Sequence, residues 1–536
     1  MSIEWWKSGV FYQIYPRSFA DSNGDGVGDL PGITRTLAYL AGLGVDAVWL
    51  SPIYPSPMHD FGYDISDYRG VDPIFGGMAD FDRFLQQAHE NGIRVLMDLV
   101  VNHTSSLHPW FVESRSSRSS ARRDWYIWRD GKRGRPPNNW RSVFAGRAWQ
   151  WDPGTGQFYL HSFLKEQPDL NWRNPEVRNA VFDEIRFWLD RGVDGFRLDV
   201  VNLYVKDAQF RSNPFGIGRY PRPYDMQKHV YDCDRPELHG ILRELRALMD
   251  SYPERTTVGE VLVKAPGNAR IAASYLGDGT DELHMTFDFT LLNLPWDPAR
   301  MFRQIEAWYA CMPARGWPTI VFSNHDVPRS FSRYGRENRA EKARIVALLL
   351  LTLRGTPFIY YGEEIGMEDG RVARRELRDP VGLRYWPLNK GRDPARTPMQ
   401  WTPGKNAGFT TGEPWLPIPS SHATCNAARE EQDPSSLLHF YKTLIRIRRE
   451  NPCLSVGSWR ALHRGDDGLI GFERTAGEAR IAVLANLTEK RRTARFEGSI
   501  YRRVILSTRE RGPGLAPGTI ELRPFEGVML APISLL

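Results

Sequence analysis

Apolar runs of strand length recur along the chain, separated by stretches with helical spacing. They are VFYQIYP (Val10–Pro16), AVWLSP (Ala47–Pro52), RVLMDLV (Arg94–Val100) and GFRLDVV (Gly195–Val201). TVGEVL (Thr257–Leu262), LHMTFDF (Leu283–Phe289), TIVFSN (Thr319–Asn324) and FIYYGEE (Phe358–Glu364) complete a set of eight. Each run is continuous rather than alternating, as strands covered on both faces require. Between them, FDRFLQQAHENG (Phe81–Gly92) places Phe81, Phe84, Leu85 and Ala88 on one helical face before a glycine stop. VRNAVFDEIRFWLDRG (Val177–Gly192) and LHGILRELRALMDSYP (Leu238–Pro253) repeat that pattern. Eight strands alternating with helices predict an α/β fold, a (β/α)8 TIM barrel. A doubly wound open sheet is the alternative, but no GxGxxG follows the first strand.

Two regions interrupt this rhythm. Residues 104–172 dissolve into Ser, Arg, Gly, Pro and Trp, which predicts a domain inserted after the third strand. Such insertions shape the mouth of a barrel site. A second irregular region, Asp369 to Arg429, follows the eighth strand. After the helical stretch Leu437–Pro452, the segments GLIGFER, RIAVLANL, YRRVILS and GTIELRPFEGVML read as short strands between turns. The expected organisation is a barrel over 1–103 and 173–455, an inserted domain over 104–172, and a C-terminal antiparallel β-sandwich over 456–536.

Composition narrows the function classes. With 536 residues, 41% of them apolar, the chain can bury a large core, yet no apolar run spans a membrane. The net charge of +6 is spread along the chain. The one dense basic patch, RSSRSSARR (Arg115–Arg123), reads as a solvated loop or helix edge, so neither nucleic acid nor membrane is an expected partner. The start MSIEWWKSGVFYQ lacks the features of a signal peptide, and four scattered cysteines without CxxC spacing suit a reducing compartment. The expectation is a cytoplasmic enzyme, monomer or homodimer, acting on a small molecule.

Catalytic groups of such barrels sit at the C-terminal ends of strands. Asp98, Asn102 and His103 stand at the end of the third, Arg197 and Asp199 at the fourth, Glu260 at the fifth, and Asn324, His325 and Asp326 at the seventh. One carboxylate at a strand end is as well explained by a cap or a salt bridge. Several at one rim repel and are desolvated, which stability does not explain. A carboxylate cluster without metal-ligand spacing suits glycoside hydrolysis, with one group as nucleophile and a protonated partner as acid. Zinc held by His103, His325 and Asp98 is a weaker alternative, since HxxxH and HxH spacings are missing.

In this order, YQIYPRSF, DLVVNH, GFRLDVV, VGEV and FSNHD resemble the motif series of glycoside hydrolase family 13, the α-amylase family. QPDLN (Gln167–Asn171), DFGYDISDY (Asp60–Tyr68) and GRDPARTPMQW (Gly391–Trp401) are similar to its exo-acting α-glucosidase and oligo-1,6-glucosidase branch. The resemblance implies Asp199 as nucleophile, Glu260 as general acid and base with a raised pKa, and Asp326 as the residue gripping substrate hydroxyls. Arg197 would orient Asp199, while His103 and His325 would assist Asp326. Asp60 and Arg392 would pair around the terminal glucose, with Tyr63 stacked on it. Nucleophile and acid would stand roughly 5–5.5 Å apart in a retaining enzyme. Taken alone, the histidines and Tyr63 would more simply be packed side chains, and Arg392 with Arg396 surface ion-pair partners. Val200, after the nucleophile, goes in this branch with acceptance of α-1,6 bonds; alone it would be strand packing. Transglucosylation, sucrose isomerisation and trehalose 6-phosphate hydrolysis are sibling activities on such a site. A non-catalytic, membrane-attached barrel would lack the three carboxylates present here.

The loop DSNGDGVGD (Asp21–Asp29) alternates oxygen residues like half an EF-hand, but Gly32 stands where the bidentate glutamate belongs. Asn-Gly and Asp-Gly also make turns without any ion. The family resemblance favours a divalent ion, Ca2+ before Mg2+, on Asp21, Asn23, Asp25, the Val27 carbonyl and Asp29.

Overall fold

A computed structural model describes residues 4–217, 222–262, 268–335, 337–496, 501, 503–511 and 518–532. All eight expected strands form: β1 (Phe11–Ile14), β2 (Ala47–Leu50), β3 (Arg94–Leu99), β4 (Gly195–Leu198), β5 (Thr256–Glu260), β6 (Met285–Phe287), β7 (Thr319–Val321) and β8 (Thr356–Tyr360). They pair in parallel in the order β7-β8-β1-β2-β3-β4-β5-β6. The order follows the chain cyclically, so the sheet is a barrel rather than a doubly wound sheet with a reversal point. At the remaining seam, Thr319 on β7 donates its hydroxyl to the Thr286 carbonyl on β6 at 2.9 Å.

Alternation along the strands sorts the apolar runs into two cores. Phe11, Ala47, Trp49, Leu96, Val258, Met285, Phe287, Val321 and Phe358 fill the barrel. The intervening Tyr12, Ile14, Val48, Leu50, Val95, Phe196, Ile320 and Ile359 face the surrounding helices in the larger cluster. Helices Met78–Glu90, Pro175–Asp190 and Glu237–Asp250 form where the spacing placed them.

Residues 104–172 are not structureless. They hold the helix Pro109–Ser116 and a three-stranded antiparallel sheet of Trp128–Arg129, Gln157–Leu160 and Trp149–Asp152. Strands of two to four residues around Ile127, Trp140, Trp149 and Phe158 are too short to show a periodicity in sequence. The basic patch is mostly exposed, as expected of a helix edge and the loop after it, with two anchored arginines. Arg115 pairs with Asp152 at 2.7 Å, and the buried Arg123 lies over the Trp128 ring at 3.5 Å.

The C-terminal part is antiparallel, as expected. A five-stranded sheet faces the pair Arg492–Arg495 and Thr519–Leu522 across a shared core of Leu469, Leu484, Ala494, Leu522 and Val528. Arg502, inside the expected strand YRRVILS, lies outside the described residues; Arg503–Ser507 is a strand. Two buried arginines brace the boundary of this part: Arg448 ties barrel segments together beneath it, and Arg474 reaches from it to the barrel at Thr352. Arg448 donates to the carbonyls of Leu351, Leu454, Gly355 and Ser455, and Arg474 to those of Thr352, Gly457 and Ser458. Burial lowers both guanidinium pKa values, to about 9 for Arg448 and about 10 for Arg474. Arg448→Met keeps the bulk and removes the donors, so it is expected to destabilise by about 2–4 kcal/mol. Thermal denaturation checks this; an unchanged melting temperature would show that the junction does not depend on Arg448.

Candidate active site

The alternation that fills the barrel also builds its rim. Two residues beyond Leu96 the same face of β3 presents Asp98, and beyond Val258 the same face of β5 presents Glu260. The register sets Asp98 beside Arg197 of β4, and Arg197 beside Val258. Arg197 becomes the hub of the rim. Its Nη1 donates to Asp98 Oδ1 at 2.8 Å and to Asp199 Oδ1 at 2.7 Å, and its Nη2 donates to Glu260 Oε2. All four groups are buried, and the guanidinium lies 4.9 Å from the Trp49 ring centre. Burial pushes the Asp199 carboxyl well above the usual range against the pull of Arg197, with Glu260 and Asp98 pushing the same way. Burial likewise raises Asp98 to about 6.

A second chain of bonds locks the floor. The Tyr63 hydroxyl donates to Asp98 Oδ2 at 3.1 Å and meets His325 Nε2 at 2.8 Å, while Gln13 Nε2 meets His325 Nδ1 at 2.8 Å. The Tyr63 and His325 rings stack at 5.6 Å, with planes 5° apart. His103 Nε2 donates to the Tyr63 carbonyl at 3.0 Å, and its Nδ1 faces Asn102 Nδ2 at 3.1 Å. Burial lowers the pKa of both histidines, His325 strongly, so both rings are neutral. These side chains are packed and also line the cavity, so packing and site are not alternatives here.

The outer wall comes from distant segments. Arg392 donates to Asp60 Oδ1 at 2.6 Å and to Asp379 Oδ1 at 2.7 Å, and stands 3.5 Å from Asp326. Arg396, fully buried, donates to Asp326 Oδ1 at 2.9 Å and to the His325 carbonyl. Neither arginine is a surface ion-pair partner. Burial would raise Asp326, but the Arg392 and Arg396 guanidiniums hold it below the usual carboxylate range. Asp60 is raised to about 6 by burial despite Arg392. Gln167 of QPDLN donates to Asp60 Oδ2 at 3.2 Å, fixing the other side of that carboxylate. The result is a cavity of about 2050 Å³ lined by Asp60, Tyr63, His103, Asp199, Val200, Glu260, His325, Asp326 and Arg392.

The alpha-amylase catalytic-domain model matches residues 13–457. The chain belongs to the α-amylase family, glycoside hydrolase family 13. This family member is 46% identical over 503 residues to a probable α-glucosidase of Rhizobium meliloti, covering 91% of this chain and 90% of the relative. It is 41% identical to an oligo-1,6-glucosidase of Parageobacillus thermoglucosidasius, with 98% of each covered. Among solved structures, an α-glucosyl transfer enzyme, XgtA, superposes with a TM-score of 0.94 at 43% identity, covering 99% of this chain and 100% of the other. The trehalulose synthase MutB of Pseudomonas mesoacidophila gives 0.90 at 37% identity over 99% and 100% of the chains.

Several residues of this glycoside hydrolase's site escape sequence reasoning. Asp379, buried beneath Arg392, carries no motif signal. Nor does Lys206, whose buried ammonium pairs with Asp169 at 2.9 Å and donates to Asn102 Oδ1 at 2.9 Å. Val200 is not a strand residue. It takes φ 39° and ψ 46° just past β4, and its N–H donates to Glu260 Oε2 at 3.2 Å.

The loop Asp21–Asp29 offers only oxygen donors, which suits a hard cation. Those oxygens already serve the loop. Asp21 accepts from the amides of Asn23, Gly24 and Gly26 and from the Thr410 hydroxyl. Asp29 caps the helix Leu30–Arg35 through the Gly32 amide and accepts from Ser22. Among the described residues Asp25 accepts from the Val27 amide and Asn23 Nδ2, which leaves lone pairs for a cation. Among the described residues no three His, Cys, Asp or Glu side chains gather as a metal-holding group. The glycines have a packing reason: a Cβ on Gly26, at φ +90°, would stand 1.8 Å from the Glu413 carbonyl.

Asp60 and Asp98 must be ionised to hold Arg392 and Arg197 at full strength, and both take up a proton near pH 6. As pH falls through about 6, kcat/KM is therefore expected to fall, and Asp60→Asn should lower kcat/KM at every pH while weakening this limb. A profile flat down to pH 4.5 would contradict these assignments.

Proposed function

We propose that the protein is a retaining, exo-acting α-glucosidase that removes terminal α-glucosyl residues from short oligosaccharides, α-1,6 bonds included. The observation that carries this reading is the pair Asp199 and Glu260, held on one buried guanidinium inside a cavity walled by Asp60 and Arg392. Asp199 attacks the anomeric carbon while Glu260 gives its proton to the departing oxygen. Glu260 then takes a proton from water, whose oxygen displaces Asp199 from the sugar. Asp326, kept ionised by Arg392 and Arg396, binds sugar hydroxyls and stabilises the cationic transition state. The α-glucosidase and oligo-1,6-glucosidase relatives and the buried Val200 on the wall support the hydrolytic, α-1,6-accepting reading.

The test is a panel of maltose, isomaltose, sucrose, trehalose and trehalose 6-phosphate, with the first-formed anomer followed by NMR. Hydrolysis of isomaltose or maltose with release of α-glucose is expected. Sucrose isomerised while both go uncleaved would favour the trehalulose-synthase-like reading that the MutB likeness supports. First-formed β-glucose would remove the mechanism. Asp199→Asn should lower kcat on the order of 10⁴-fold with little change in melting temperature.

Asp21, Asn23, Asp25, the Val27 carbonyl and Asp29 would hold a calcium ion, or magnesium, which would brace the loop by oxygen coordination. Since the loop already closes on its own hydrogen bonds, chelation should lower the melting temperature by only a few degrees, roughly 1–2 kcal/mol of stability, and leave kcat unchanged. No shift on chelation, with no calcium in the purified protein by elemental analysis, would remove the ion.

A further inference from the structure

The first barrel strand sends one polar side chain towards the site. Gln13 follows Phe11 on the inward face of β1 and is 2% exposed. A carboxamide so far from water needs partners. Its Nε2 meets His325 Nδ1 at 2.8 Å and donates to Ser51 Oγ at 3.3 Å. His325 lines the cavity, whereas Gln13 stands behind it.

A neutral imidazole carries one proton, and its surroundings decide on which nitrogen. At His325 they decide clearly. Nε2 faces the Tyr63 oxygen at 2.8 Å and Asp326 Oδ1 at 3.4 Å. Asp326 is ionised and only accepts, and Tyr63 gives its single proton to Asp98 Oδ2. A lone pair on Nε2 would be repelled by both oxygens, so the proton belongs there. Nδ1 is then an acceptor shut away from water, and Gln13 Nε2 is the donor that reaches it. The ring is held in place by Tyr63 at 5.6 Å, Tyr15 at 5.9 Å and Trp49 at 6.0 Å. From Gln13 to His325, from Nε2–H to Tyr63 and from Tyr63 to Asp98, every donor points towards the acids around Arg197. The other tautomer would draw the Tyr63 proton away from Asp98 and set a lone pair against Asp326.

On the glucosidase reading, which this inference deepens, we infer that Gln13 is a positioning residue: its carboxamide holds His325 in the Nε2-protonated form. The ring thereby offers an N–H, and not a lone pair, to Asp326 and to sugar hydroxyls in the cavity.

Gln13→Leu keeps the bulk without a donor, and Gln13→Glu puts an acceptor against Nδ1. Histidine labelled with 15N in the ring reads the tautomer by NMR, with the His325 signals identified by their loss in His325→Gln. The unchanged protein is expected to show a protonated Nε2 and a bare Nδ1, and Gln13→Glu a protonated Nδ1. Each Gln13 variant should lower kcat on the better of maltose and isomaltose by roughly tenfold or more, with KM moving less than about threefold. The charged groups that face the ring, Asp326, Arg396, Arg197 and Arg392, are common to all these proteins. As pH falls, kcat of Gln13→Glu relative to the unchanged protein should therefore rise, because a proton gained by the introduced carboxyl and His325 together restores an Nε2–H. Gln13→Leu should show no such recovery. A bare Nε2 in the unchanged protein would overturn the inference. So would full kcat in both variants, or equal, pH-independent losses that track a lowered melting temperature, as a packing role predicts. Failure of the unchanged protein to cleave any α-glucoside would remove the glucosidase reading, while the ring-nitrogen signals would still decide the role of Gln13 at His325.

Discussion

The site depends on one guanidinium. Arg197 is buried with Asp98, Asp199 and Glu260 around it, one positive charge against three acids. Three ionised carboxylates there would leave two uncompensated charges in a poorly solvated place, so the cluster holds on to protons. That imbalance suits the proposed double displacement, which needs one ionised and one protonated acid at the same rim. Removing Arg197 would not merely loosen Asp199. It would leave three acids facing each other without a cation, and their ionisation would shift together.

Around this hub lies an outer ring in which cations match anions more evenly. Arg392 and Arg396 face Asp60, Asp326 and Asp379, and the five residues come from the loop after β2, the end of β7 and the long excursion after β8. The ring staples chain segments that are more than 300 residues apart in sequence in the case of Asp60 and Arg392. On the proposed function the inner and outer sets divide the work: the first stores a proton, and the second keeps Asp326 charged and closes the sugar pocket.

Much of this was legible in the residues, and the gaps have physical causes. Continuous apolar runs marked all eight barrel strands because both of their faces are buried, and strand ends then pointed to Asp199, Glu260 and Asp326. The three-stranded sheet within 104–172 stayed hidden because its strands are too short to show a period. Asp379 and Lys206 stayed hidden because their meaning lies in partners, Arg392 and Asp169, that only the fold brings near. The loop at Asp21–Asp29 carries a local pattern whose oxygens have more than one use. Alternating oxygens look like a ligand cage, yet in the fold they mostly receive the loop's own amides, and Gly26 is small because the chain near Glu413 presses on it.

Val200 ties the two halves of the problem together. A β-branched residue at φ 39° is strained, by an amount on the order of 1–3 kcal/mol. Such a conformation persists only where its surroundings hold it from both sides. Here the amide is held by Glu260, and the side chain is packed among Phe144, Phe163 and Val381. The residue beside the proposed nucleophile is therefore mechanically joined to the proposed general acid. A change of side chain at this position cannot alter the wall alone, because any relaxation of the backbone also moves a hydrogen bond to the proton donor.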